Sequence, residues 1–214
     1  MQDNLHDGHR PEDVNTMTDS GTSQRTFAGP WLLWTAGFVA FPLAGLAGTA
    51  AAGRVDSAIA ALIGGTVSGL VLGAGQVLVS RRRLDPRWWI PATGGGMGVG
   101  LLIGAAVVDY GTSLSDLALM GALTGVALGP AQAFALPHQA RTPWAWAAAM
   151  PALWALGWTV TTIGQIHVEQ QFTIFGAYGA LTFSALSGVL LHWLLPVRAA
   201  ADQATRSTGR EVSA

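Results

Sequence analysis

Six long apolar segments, almost free of ionisable side chains, constrain the fold of this chain more than any other feature. Each is close to the roughly 20 residues that an α-helix needs to cross the hydrocarbon of a bilayer. Only 11% of the 214 residues are charged, against about 25% in a soluble domain. The chain is therefore predicted to be an all-α integral membrane protein with six transmembrane helices. The segments are residues 31–52, 57–80, 88–108, 117–136, 143–166 and 172–195.

Polar sequence flanks the apolar segments at both ends. Residues 1–27 are rich in Asp, Ser, Thr, Gln and Asn and contain no apolar run that could be a signal-peptide core. Residues 198–214 are similarly polar. Both are predicted to be disordered tails, because such sequences cannot bury enough apolar surface to fold. The transmembrane domain is predicted to occupy residues 28–197.

The distribution of arginine predicts the orientation in the membrane. The chain has no lysine, and all of its 11 arginines except Arg54 fall on the side of the membrane that carries both termini. Loops rich in Lys and Arg stay in the cytoplasm, so both termini are predicted to be cytoplasmic.

The helices are arranged in the sequence as three tandem pairs. Trp31, Trp88 and Trp144 open the first, third and fifth helices at nearly equal intervals, each just after a proline or Pro-Arg. Because each unit is a pair of helices, successive units enter the membrane in the same direction, and a parallel repeat is expected. Such units predict a bundle with pseudo-threefold symmetry. The repeats span about residues 28–83, 84–140 and 141–197.

Glycine recurs at every fourth position in the second and fourth helices. Residues four apart lie on one helix face, where small side chains let two helices approach closely. The ladders therefore predict helix packing; the alternative is that they line a narrow axial path. The two ladders are Gly65, Gly69, Gly73 and Gly121, Gly125, Gly129, and the last helix keeps a weaker one, Gly176, Ala180, Ser184, Gly188.

A polar residue follows each ladder on nearly the same face. Gln76 and Gln132 follow the first two, and His192 stands close to the corresponding position in the last helix, although a second alignment places Leu190 there. A buried amide is costly unless it is hydrogen bonded, so bonds between helices are one interpretation. The other is a polar ring near the bundle axis, which could bind a small ligand, gate a pore or, through His192, respond to protons.

On the external side, Asp109, His167 and Glu169 are the candidates for a carboxylate–imidazole site. Their spacing matches no metal motif, and exposed loop residues are the simpler interpretation. Without cysteine or lysine, the chain cannot use thiolate or Schiff-base chemistry. We predict no catalytic residue, metal, cofactor or nucleic-acid partner.

The repeat pattern resembles a large group of bacterial membrane proteins built from tandem units with a Gly-x-x-x-Gly-x-x-Gln-Trp-Leu core. The resemblance rests on the two glycine ladders with Gln76 and Gln132, and on His192-Trp193-Leu194. Val77 and Ala133 stand where that group usually has tryptophan. The resemblance implies a fold and a location in the bacterial inner (cytoplasmic) membrane, but no particular chemistry.

The sequence thus favours a non-enzymatic membrane component that acts by packing against lipid, a second copy of itself or another membrane protein. The alternative is a small-solute or ion channel or transporter with a polar site near the bundle axis. That alternative is weakened by the scarcity of carboxylates within the apolar segments, where ion pathways usually carry them. An enzyme is the least supported class.

Overall fold

A computed structural model describes residues 19–164 and 174–195, and within these ranges all regular structure is helical. A 3₁₀ turn at Gly37–Val39 joins α1 and α2 into one rod, so the described part contains six rods. This confirms the predicted all-helical class. The helices are α1 (Asp19–Ala36), α2 (Ala40–Ala52), α3 (Ala58–Val79), α4 (Pro86–Val107), α5 (Leu114–Ala135), α6 (Pro143–Ile163) and α7 (Ala177–Leu194).

Five of the rods are long and apolar enough to cross a membrane: Phe27–Ala52, α3, α4, α5 and α7. The exception is α6, which is 21 residues long but contains four tryptophans, two prolines and three threonines. These residues lower its mean hydropathy without changing its length. Length and composition thus support five of the six predicted spans.

The first rod differs from its sequence-based description at its start. It begins at Asp19, inside residues 1–27, which were predicted to be a disordered tail. Extending an existing helix costs far less than starting one, so the apolar rod can propagate outward into polar sequence. The rod also narrows to the 3₁₀ turn just before Pro42. Proline has no N–H to donate to the carbonyl of Phe38, which lies in that turn.

Side-chain caps begin three of the helices, α3, α4 and α5. Ser57 caps α3 by accepting from the Ala60 N–H at 3.3 Å, and Asp85 caps α4 by accepting from the Arg87 N–H at 2.9 Å. Ser113 and Asp116 form a capping box at the start of α5, with the Ser113 hydroxyl 2.6 Å from the carboxylate. These caps satisfy N–H groups that a helix start leaves unbonded.

The rods form a closed ring. Each packs against its neighbours in chain order, and α7 packs back on α1. At one end, the Arg83 guanidinium donates to the Leu195 carbonyl at 3.1 Å and the Arg141 N–H donates to the Leu194 carbonyl at 2.8 Å. The end of α7 is thereby tied to the α3–α4 and α5–α6 connections. We call this the arginine-rich end of the bundle.

Apolar side chains fill the inside of the ring and also cover its outside. The interior set includes several fully buried aromatic and aliphatic residues: Phe41, Leu72, Trp89, Met97, Leu128, Trp146, Trp154 and Phe183. An apolar outer surface of this extent is typical of helices that face lipid. The outer set includes Leu46, Ile59, Leu78, Val107, Phe134 and Ile163.

Candidate functional site

Gln76 is bonded to a tryptophan of the next helix. It lies near the end of α3 and is buried, and its Oε1 accepts from the Nε1 of Trp89 at 2.8 Å. Trp89 lies in the first turn of α4, where the Asp85 cap holds the helix start. The short α3–α4 connection therefore places the tryptophan opposite the glutamine.

Gln132 makes the equivalent bond one pair of helices later. Its Oε1 accepts from the Nε1 of Trp146 at 3.0 Å, and its Nε2 donates to the Thr93 hydroxyl at 2.9 Å. Thr93 in turn donates to the Trp89 carbonyl at 2.8 Å. The rings of Trp89 and Trp146 meet edge to face with centroids 5.9 Å apart. The two glutamines thus belong to one buried network, which we call the Gln–Trp network.

A third bond of this kind joins the two ends of the chain. The Nε1 of Trp34 in α1 donates to the hydroxyl of Ser187 in α7 at 3.0 Å. Ser187 follows Ser184 by three residues, just as Gln76 follows Gly73. In the last helix, Ser187 is therefore the side chain that accepts from a tryptophan, five residues before His192, and the Ala185 carbonyl accepts from the Nε1 of Trp31 at 2.9 Å.

His192 lies apart from the Gln–Trp network. Its ring meets Phe27 edge to face with centroids 4.7 Å apart, and its buried Nδ1 has no hydrogen-bond partner among the described residues. It borders a small cavity of about 70 Å³ that Ser80 and Arg83 also line. The structure therefore brings together two of the three predicted ring residues, Gln76 and Gln132, and not the third.

The glycine ladders lie where helices come closest. A Cβ added at Gly69 would be 2.5 Å from the Thr93 carbonyl oxygen, and one at Gly125 would be 2.5 Å from the Met150 carbonyl oxygen. The other ladder glycines face the same partners, and α3 thus packs on α4 and α5 on α6 without room for side chains between them. Backbone or Cβ atoms of the partner helix would lie within 3.2 Å of a Cβ at each of Gly65, Gly73, Gly121 and Gly129.

The external candidates are only partly described. Asp109 is exposed and follows α4 in a left-handed backbone conformation, with φ of 48°. His167 and Glu169 lie outside the described residues, so their distance from Asp109 is not defined. Within residues 19–164 and 174–195, no three His, Asp or Glu side chains are grouped closely enough to hold a metal ion.

Two buried polar atoms of α6 have no partner in the described part of the chain. These are the Nε1 of Trp154 and the hydroxyl of Thr161. Trp154 packs edge to face against Phe175 and Phe183, with centroids 4.9 and 5.8 Å away. Both atoms could form a hydrogen bond with a small molecule placed beside α6.

Sequence reasoning identified the glutamines but missed their partners. Trp34, Trp89 and Trp146 are buried in the bundle, whereas Trp88 and Trp144, which mark the repeat in the sequence, are exposed. The available signal for the acceptors was a step of three residues from the third residue of each ladder, which leads from Gly73 to Gln76, from Gly129 to Gln132 and from Ser184 to Ser187. Searches against protein-family models, curated proteins and solved structures found no match to this chain.

Proposed function

We propose that this protein is a non-enzymatic, multi-pass membrane component that acts through its outer surface, by contact with lipid or with a partner membrane protein. The observation that carries the proposal is the interior of the bundle. Most of its described buried polar side chains are hydrogen bonded within the protein, to one another or to backbone carbonyls, and aromatic and aliphatic side chains fill the remaining space.

The Gln–Trp network supports this proposal. Gln132 uses both its oxygen and its nitrogen within the protein, and Gln76 accepts from Trp89. A binding site for a solute needs polar groups that the solute can reach, whereas these amides already have partners. Their bonds between helices match the role of polar residues that hold transmembrane helices together.

A second aromatic cluster, at another level of the bundle, also supports the proposal. Phe41 of α2 stacks on Phe175 with centroids 5.1 Å apart and meets Phe183 of α7 at 5.5 Å. Trp154 of α6 joins the same cluster. Side chains from three rods thus meet inside the ring, where a channel would need an open, polar path.

The proposal includes six membrane crossings, three tandem repeats and an approximate threefold axis. Three observations support it: the closed ring of rods, the packing of α3 on α4 and α5 on α6 at the glycine ladders, and the three bonds from a Trp Nε1 to a side-chain oxygen. The bonds join each unit to the next in cyclic order, since the last one runs from Trp34 to Ser187.

The proposed location is the bacterial inner membrane, with both termini and the arginine-rich end in the cytoplasm. It is supported by the arginine distribution, together with the resemblance of the repeats to bacterial membrane proteins. The outer apolar surface would face lipid directly or a partner that displaces it, including a second copy of the chain.

The alternative is transport of a small solute, which the two unpartnered atoms of α6 favour. The Trp154 Nε1 and the Thr161 hydroxyl are buried donors that a bound solute could satisfy. A pathway beside α6 would then run through the part of the bundle that is richest in threonine.

Flux through reconstituted vesicles distinguishes the two functions. We expect proteoliposomes loaded with potassium ions, glycerol or a fluorescent dye to release them no faster than protein-free vesicles of the same lipid. Release that depends on the protein, and that falls in Trp154→Phe and Thr161→Val, would contradict the non-transporting proposal. Thr182→Val is the matched control, since Thr182 is only partly buried on α7 and its hydroxyl already donates to the Tyr178 carbonyl at 2.9 Å.

A further inference from the structure

A groove of about 1470 Å³ lies at the arginine-rich end, beside the ends of α3 and α5 and the start of α4. Its floor and one wall are apolar. Leu78, Trp88 and Phe134 are 79%, 68% and 78% exposed and continue the lipid-facing surface into the groove. The groove therefore opens toward the position that lipid chains would occupy.

The other wall of the groove is basic. Arg81, Arg82 and Arg83 line it, against the single carboxylate of Asp85 among the lining residues. The Asp85 carboxylate accepts from the Arg87 N–H, and the Arg83 guanidinium donates to the Leu195 carbonyl. Arg81 and Arg82 are exposed in the lining of the groove, and neither takes part in these two hydrogen bonds.

The backbone at these two arginines is strained. Arg81 and Arg82 have φ angles of 51° and 65°, in the left-handed region that disfavours residues with a Cβ. Consecutive non-glycine residues in this region are uncommon, and such strain tends to collect at sites that bind ligands. Glycine would relieve the strain, but it would remove both charges.

We propose that this groove binds an anionic phospholipid, with its phosphate at Arg81 and Arg82 and its acyl chains along Leu78 and Phe134. Basic pockets between helices on the cytoplasmic side are suited to such head groups, and Trp88 lies where aromatic side chains favour the membrane interface. The inference rests on the membrane placement proposed above and names a lipid class for that surface.

Two other occupants fit the groove less well. Inorganic phosphate would use the arginines but leave the apolar wall uncovered. Residues 197–214 carry three arginines and two acidic side chains, so the chain after α7 offers Arg81 and Arg82 no net negative charge from its side chains. An anionic lipid complements both the charge and the apolar wall.

Native mass spectrometry of the full-length protein in neutral detergent tests the proposal by titration with phosphatidylglycerol or phosphatidylcholine. Wild type should retain phosphatidylglycerol in preference to phosphatidylcholine. Arg81→Asn/Arg82→Asn should lower the affinity for phosphatidylglycerol by about 30-fold, because each cation near an anionic head group contributes a factor of about five. Asparagine tolerates the left-handed conformation, so the fold should be kept.

Matched variants separate the lipid from other occupants. Arg54→Asn removes an exposed arginine from the opposite end of the bundle and should leave the affinity unchanged, as should Arg81→Lys/Arg82→Lys, which keeps both charges. Leu78→Ala/Phe134→Ala should weaken binding of the long-chain lipid.

Several results would overturn the proposal. One is equal retention of both lipids by wild type. Another is a loss of phosphatidylglycerol affinity in Arg54→Asn equal to that in Arg81→Asn/Arg82→Asn. The third is displacement of the lipid by inorganic phosphate alone. A rise in lipid affinity in Asp202→Asn/Glu211→Gln would instead indicate that the chain after α7 occupies the groove. A lack of lipid selectivity would refute the lipid site but would not change the outcome of the flux experiment. The lipid site and the non-transporting function can therefore be refuted independently.

Discussion

Adding one methyl group at Gly69 should destabilise the protein, whereas the same change at Gly95 should not. A Cβ at Gly69 would lie 2.5 Å from the Thr93 carbonyl oxygen and 2.8 Å from the Gly94 Cα, both in α4. These are backbone atoms and cannot rotate away. At Gly95, on the outer face of α4, an added Cβ would meet nothing within 4 Å.

The comparison between the two variants isolates the packing energy. Both gain the same helix propensity from glycine to alanine, about 1 kcal/mol, so that contribution cancels. The remaining difference is the cost of separating α3 from α4, which for an overpacked core is about 1–3 kcal/mol. Gly125→Ala should behave like Gly69→Ala, because its Cβ would meet the Met150 carbonyl at 2.5 Å.

Equilibrium unfolding in mixed detergent micelles measures this difference. Near-ultraviolet circular dichroism reports tertiary packing around the buried tryptophans, and the free energy of unfolding follows from the transition midpoint and slope. Equal stability of Gly69→Ala and Gly95→Ala would refute the close approach of α3 to α4. Loss of stability in Gly95→Ala would show that its face is also a packing surface.

Three further predictions use the same unfolding assay. Trp146→Phe should lower the free energy of unfolding by about 1–2 kcal/mol, because the Gln132 oxygen loses its donor. The control Trp144→Phe should have little effect, and equal effects of the two variants would contradict the bond between Trp146 and Gln132. Ser187→Ala should lower the free energy of unfolding by about 1 kcal/mol, because Trp34 loses its acceptor. An unchanged free energy of unfolding would contradict this bond between α1 and α7. Arg82→Gly should raise stability by about 1 kcal/mol in neutral detergent, whereas a decrease would argue against backbone strain there.

The helices themselves could be predicted from the sequence because apolar length is a local property. Five rods match predicted segments within a few residues, and the ladder glycines share a helix face as the spacing requires. The rod whose mean hydropathy is too low for a candidate span is α6. Some of its tryptophans pack inside the bundle and others lie on its outside. Trp146 and Trp154 are buried and Trp144 is exposed, so composition alone underestimates how apolar its surroundings are.

The partners of the glutamines could not be predicted because they depend on helix rotation. Trp88 and Trp89 are adjacent in the sequence, yet only the second faces the Gln–Trp network. Their roles are set by how α4 packs on α3, through contacts distant in sequence. The same reason explains Ser187 and His192, which lie on one helix but meet different neighbours.

Single-cysteine labelling tests the central claim, a closed bundle that crosses the membrane six times. The chain has no native cysteine, so each introduced thiol reports one position. With a membrane-impermeant thiol reagent, Gln139→Cys should label from the cytoplasmic side and Ala177→Cys from the opposite side. Thr124→Cys, inside the ring, should label from neither. Labelling of Gln139 and Ala177 from one side would exclude α6 as a span, and labelling of Thr124 would contradict the closed interior.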